Sequence, residues 1–117
     1  MAKVLVVDDS GLMRTQISAI LEELGHEVIA QANNGLEGYE LYKEHHPEIV
    51  TMDINMPILD GLGAVQKIIA DFPDARILMI SAHEDRELVY EAIGYGAIDF
   101  LTKPIELEKL KIKLLRL

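Results

Sequence analysis

The chain has 117 residues, 50% of them hydrophobic and 26% charged, and its 20 acidic against 11 basic side chains give a formal net charge of −9. Such a length suits one domain with a single sizeable core, expected to span residues 1–117, and the composition excludes a disordered chain. Cysteine is absent, which excludes disulfides and thiolate metal sites, the acidic balance argues against direct binding to nucleic-acid phosphates, and no apolar run has the length of a membrane span or the form of a secretory signal, so the expected location is cytoplasmic.

The first predicted strand is the apolar run at residues 4–7, which runs directly into Asp8 and Asp9. Helical spacing of Met13, Ile17, Ile20, Leu21 and Leu24 predicts the first helix, with Gly25 free to cap it in a left-handed conformation. A second strand at residues 28–32 leads to the turn dipeptide Asn34-Gly35, and a less regular helix follows over residues 35–46, stopped by Pro47. Strand three, residues 49–52, meets Asp53. Leu62, Val65, Ile68, Ile69 and Phe72 mark the third helix, ended by Pro73. Strand four, residues 77–80, meets Ser81; Leu88, Val89, Ala92 and Ile93 mark the fourth helix, with Gly94 or Gly96 as its cap. Strand five, residues 98–101, meets Thr102, Lys103 and Pro104, and Leu107, Leu110, Leu114 and Leu117 predict the fifth helix.

Strands that alternate with helices are joined by crossovers, which requires parallel pairing and right-handed connections. The expected fold is therefore α/β, a (βα)5 doubly wound five-stranded parallel sheet. Strands one, three and four are almost continuously apolar, as strands covered on both faces must be, whereas the second carries Gln31 and the fifth Asp99 and Thr102. Placing the second and fifth at the edges gives the order 2-1-3-4-5, the flavodoxin-like arrangement, with a ligand crevice beyond the carboxyl ends of strands one and three.

Asp8, Asp9, Asp53, Ser81 and Lys103 all fall at that edge. Like charges 4 Å apart repel by roughly 4 kcal/mol at an effective dielectric of about 20, so three converging carboxylates need a counter-charge. An all-oxygen set with incomplete coordination suits Mg²⁺, and Mg²⁺ together with Lys103 formally neutralises the three acids. Asp53, alone at the end of its strand, is then a candidate carboxylate nucleophile able to form an acyl phosphate. Lys103 and the Ser81 hydroxyl would stabilise charge on the phosphoryl oxygens.

The stretches VLVVDDS, TMDINMPILDG, ILMISA and DFLTKP, in this order, resemble the receiver domain of two-component response regulators, most of all the single-domain chemotaxis type, over essentially the whole chain. The resemblance implies that Asp53 is the phosphoacceptor, that Asp9 binds Mg²⁺ directly with the Asn55 carbonyl oxygen, and that Asp8 acts through water. It implies that Ser81 binds the phosphoryl group and shifts on phosphorylation, that Lys103 pairs with that group, that the Lys103-Pro104 peptide is cis, and that Phe100 is the switch aromatic. It further implies a sensor histidine kinase or histidine phosphotransfer protein as donor. The output it implies is a partner protein or a homodimer met through helices four and five, with the fourth-helix surface at residues 86–95, and it implies a signalling phosphoacceptor rather than an enzyme. Asn55 and His83 occupy positions that tune dephosphorylation in relatives. His45 and His46 sit at a helix end, where they favour the helix dipole, and Met13, Met52, Met56 and Met79 are expected to fill the core.

Three other readings have distinguishing features. A haloacid-dehalogenase-type phosphatase resembles D-x-D at its nucleophile, but the stretch here is Asp53-Ile54-Asn55, without the second acid. A flavodoxin-like electron carrier must cradle a flavin phosphate in its first loop, which Asp8 and Asp9 would repel. A phosphate-independent interaction module would show no metal-dependent change.

Overall fold

The computed structural model describes residues 1–117. Five parallel strands, β1 (Lys3–Val7), β2 (Glu27–Ala32), β3 (Ile49–Asp53), β4 (Ile77–Ser81) and β5 (Asp99–Thr102), pair in the order β2-β1-β3-β4-β5. The helices α1 (Gly11–Glu23), α2 (Gly35–His45), α3 (Gly61–Asp71), α4 (Arg86–Gly94) and α5 (Leu107–Leu115) connect or follow them, and a single 3₁₀ turn, His83–Asp85, precedes α4. None of the helices is long and apolar enough to cross a membrane.

The two-residue period of the strands sorts each apolar run between two layers. Leu5, Val7, Val50, Met52, Ile77 and Met79 meet residues such as Tyr42, Val65, Ile68 and Val89 from α2, α3 and α4. Val4, Val6, Ile49, Leu78, Ile80 and Leu101 meet Ile17 and Leu21 of α1 and Leu110 and Leu114 of α5. Ile68 and Leu110 are fully buried, and at about 1.5–3 kcal/mol per buried aliphatic side chain these two layers supply most of the driving force for folding. Met52 and Met79 lie within the core, and Met13 and Met56 pack against it.

The two central strands β3 and β4 close on the polar residues expected at their ends. β3 and β4 run on through Asp53 and Ser81 because both still pair, Asp53 with Ile80 and Ser81 with Thr102, although neither is apolar. The turn dipeptide Asn34-Gly35 opens α2, which begins at Gly35 as expected. Asn34 is its N-cap, with the side chain accepting from Glu37 N at 2.8 Å. Gly35 N donates to Leu59 O at 2.8 Å, an approach that a side chain would block, since a Cβ there would lie 2.3 Å from that oxygen. Of the two candidate caps of α4, Gly96 takes the left-handed conformation and Gly94 stays within the helix. Leu117 lies beyond the end of α5.

Candidate functional site

In a parallel sheet every strand points its carboxyl end the same way, so residues that close β1, β3, β4 and β5 meet at one edge. Asp8 follows β1 and is held in line by its N–H, which donates to Ala32 O at 3.0 Å. The turn after it is fixed twice: Asp8 Oδ1 accepts from Ser10 N at 2.9 Å, and the Ser10 hydroxyl accepts from Met13 N at 3.2 Å as the N-cap of α1. Arg14 Nη1 donates to Asp8 O at 2.7 Å. Asp53 ends β3, and Gly61 at the start of α3 passes so close that a Cβ there would lie 2.1 Å from Asp53 O. Gly61 N donates to Ile54 O at 2.7 Å.

Oxygens of Asp8, Asp9 and Asp53 lie within 4.8 Å of one another, with Asp8 and Asp53 buried and Asp9 exposed. Lys103 reaches in from the end of β5, its Nζ 3.4 Å from Asp8 Oδ2 and 3.3 Å from Asp53 Oδ1. The contact with Asp8 is ionic only: Oδ2 is buried and accepts no hydrogen bond. Burial, followed by the charge of Asp8, raises the Asp53 carboxyl from 3.8 to about 6, against the opposing pull of Lys103 and the Ile54 N–H. Burial works to lower the Lys103 ammonium, but Asp53 and Asp8 outweigh it and hold its pKa above the ordinary value. Three carboxylates and one ammonium leave an excess of two negative charges, and the buried Asp8 Oδ2, 3.4 Å from that ammonium, accepts no hydrogen bond. The donor set is all oxygen, as a hard divalent cation requires.

Ser81 is buried beside this cluster at the end of β4, and its carbonyl accepts from Lys103 N at 2.8 Å. The Lys103-Pro104 peptide is cis. Phe100 is half-buried against the core layer under α4, with Lys113 Nζ 5.4 Å from its ring centroid. Asn55 is exposed, and its Nδ2 donates to both oxygens of Asp85 at 3.1 Å. Asp85 is a site neighbour that the sequence alone did not single out. Its one signal was an acid placed where α4 begins, which also describes an ordinary helix start.

Other expected candidates lie elsewhere. His83 is exposed on the 3₁₀ turn, and His46 is the left-handed cap of α2, its ring 5.3 Å from that of Phe72 at the opposite end of the sheet. That end also carries a pocket of about 200 Å³ lined by Met1, Leu24, His26, Lys111, Leu114 and Leu115, remote from every residue of the acidic cluster.

Comparison with known proteins agrees with this geometry. The model of the response regulator receiver domain matches residues 4–115. The chain is 45% identical over 109 residues to the chemotaxis protein CheY of Listeria monocytogenes, covering 93% of this chain and 92% of that one. It is 41% identical over 122 residues to a protein-glutamate methylesterase/protein-glutamine glutaminase of Haloarcula marismortui, of which it covers 33%. Among solved structures it is similar to CheY in the CheX-CheY-BeF3-Mg²⁺ complex from Borrelia burgdorferi, with a TM-score of 0.91 and 34% identity over 98% of this chain and 89% of that one. Fold, strand order and sequence together show that the chain belongs to the response regulator receiver family, the phosphoacceptors of two-component signalling.

Proposed function

We propose that Asp53 accepts a phosphoryl group and that the chain, as one receiver domain over residues 1–117, signals through the surface this modification remodels. The observation that carries the reading is the position of Asp53, at the end of a central strand, within 4.8 Å of Asp8 and Asp9 and 3.3 Å from the Lys103 ammonium. An oxygen of Asp53 attacks the phosphorus of a phosphohistidine or acyl phosphate. The new P–O bond forms as the bond to the donor breaks, and the departing imidazole or carboxylate keeps the electron pair. Lys103 offsets charge on the phosphoryl oxygens, and Ser81 offers its hydroxyl from the neighbouring strand end.

The residues fit Mg²⁺, because the buried Asp8 Oδ2 that accepts no hydrogen bond and the two uncompensated negative charges are what such an ion satisfies. Asp8, Asp9, Asp53 and the Asn55 carbonyl would hold it, with Asp8 acting through water, and when bound it supplies positive charge to the transferring oxygens. The similar structure from Borrelia burgdorferi is a CheX-CheY-BeF3-Mg²⁺ complex, which supports Mg²⁺ as the ion for this chain.

The donor on this reading is a sensor histidine kinase or a histidine phosphotransfer protein. The chain turns over no substrate of its own beyond gain and loss of its phosphoryl group. Ser81 and Phe100 are the switch, and the α4, β5 and α5 face meets an output protein or a second copy. Intact-mass analysis after incubation with acetyl phosphate tests this. One phosphoryl adduct is expected that requires Mg²⁺ and disappears in Asp53→Ala. Loss of the adduct requirement for Asp53 would overturn it.

A further inference from the structure

Asp85 has no part in the chemistry above, yet it is 8% exposed and forms none of the ion pairs in the molecule. Its carboxylate meets neutral donors: Asn55 Nδ2 at 3.1 Å to each oxygen, and Ala82 N at 3.3 Å to Oδ2. A buried carboxylate without a cation is costly to retain unless its hydrogen bonds fix something. Both donors flank the phosphoacceptor site. Asn55 lies two residues beyond Asp53, and Ala82 follows Ser81 directly.

We infer that Asp85 is a positioning residue that prolongs the life of a phosphoryl group on Asp53 by holding the Asn55 amide at the start of α4. The inference rests on the proposed role of Asp53. Loss of the group is an in-line attack of water on phosphorus. The water oxygen bonds to phosphorus, the P–O bond to Asp53 breaks with its electron pair returning to the carboxylate, and the water proton leaves with inorganic phosphate or solvent. An amide free to move beside Asp53 orients that water, since it carries both an acceptor and a donor. Asn55 is exposed, so no packing holds its side chain once the carboxylate is gone. The same carboxylate ties the Ser81–Ala82 strand end to this arrangement, so one side chain couples the segments that follow β3 and β4.

The test is the decay of the phosphoryl adduct, followed by intact mass after removal of acetyl phosphate, in wild type, Asp85→Ala, Asn55→Ala and the double variant. Asp85→Ala is expected to shorten the lifetime by about threefold or more, with no such effect in the Asn55→Ala background, as coupled neighbours require. Asp85→Asn keeps an acceptor for Asn55 and is expected to restore much of the lifetime. It also serves if the alanine variant does not fold. An unchanged or longer lifetime in Asp85→Ala, or shortening by the same factor with Asn55 absent, would overturn the inference and leave the role of Asp53 standing. Absence of an Asp53-dependent adduct on the wild type would overturn both.

Discussion

Lys103 Nζ stands between two buried carboxylates, 3.3 Å from Asp53 Oδ1 and 3.4 Å from Asp8 Oδ2, so one cation answers two anions that otherwise face each other. Without it, two like charges share a site from which water is largely excluded. Lys103→Met is therefore expected to destabilise the metal-free protein by about 2–4 kcal/mol, less than for a fully buried pair because the lysine side chain is 26% exposed. Adding Asp53→Asn should recover part of the loss. Urea titrations of the single and double variants measure both effects, and equal costs with and without Asp53 would show that the cation is not answering that carboxylate.

The same excess of negative charge should make the stability of the fold respond to divalent cations. Mg²⁺ is expected to bind the native cluster and not the unfolded chain, so stability should rise by about 2.7 kcal/mol when the ion is a hundredfold above its dissociation constant. Asp9→Asn removes an exposed carboxylate of the cluster and should weaken the response without disturbing the core. A thermal melt across millimolar Mg²⁺ reads this directly. A flat melting temperature in the wild type would remove the metal site.

The carboxyl of Asp53 gives the metal-free protein an unusual dependence on pH. Its pKa is 3.8 as a free group and about 6 in the fold, so between these values the folded state binds more protons than the unfolded one. The contribution of Asp53 to stability is thus greatest below 3.8, falls as pH rises, and reaches its full penalty above about 6. Asp53→Asn, which cannot ionise, should be more stable than the wild type above that pH in the presence of a chelator, and the gap should close on acidification. Denaturant midpoints of the two proteins across that range test the sign, and a gap that widens toward low pH would reverse it.

How far these features were legible in the sequence depends on whether they are set along the chain or across it. Asp8, Asp53 and Ser81 each follow an apolar run directly and Lys103 follows the end of β5, and a parallel sheet carries such ends to one edge, so strand order was enough to bring them together. Their register fixes the cluster more closely than pattern alone. The approach of Gly35 to Leu59 O and of Gly61 to Asp53 O depends on how helices meet loops remote in sequence, and neither glycine differs locally from one in a turn. Asn34 shows the same ambiguity, because a short polar side chain that accepts from a nearby N–H suits a turn and a helix cap equally. Asp85 was hidden for a related reason: its partner Asn55 is 30 positions away, and only the folded sheet makes them neighbours.

Lys113 links Phe100, the proposed switch aromatic, to α5. Its ammonium donates to both oxygens of Asp99 at 3.0 Å and sits 5.4 Å from the centroid of Phe100, so a single cation serves the two residues that begin β5. Phe100 has no hydroxyl with which to fix its own position, and the contact with Lys113 adds an attraction that acts on the ring face. Lys113→Met should cost about 1–2 kcal/mol, since the half-buried Asp99 carboxylate then loses its only cation and keeps the Phe100 N–H, 2.8 Å from Oδ1, as its remaining donor. Phe100→Leu should cost about 0.5–1 kcal/mol less in the Lys113→Met background than in the wild type. Denaturant midpoints for the four proteins complete the cycle. Equal costs of Phe100→Leu in both backgrounds would show that Lys113 holds Asp99 alone and leaves the ring free to turn.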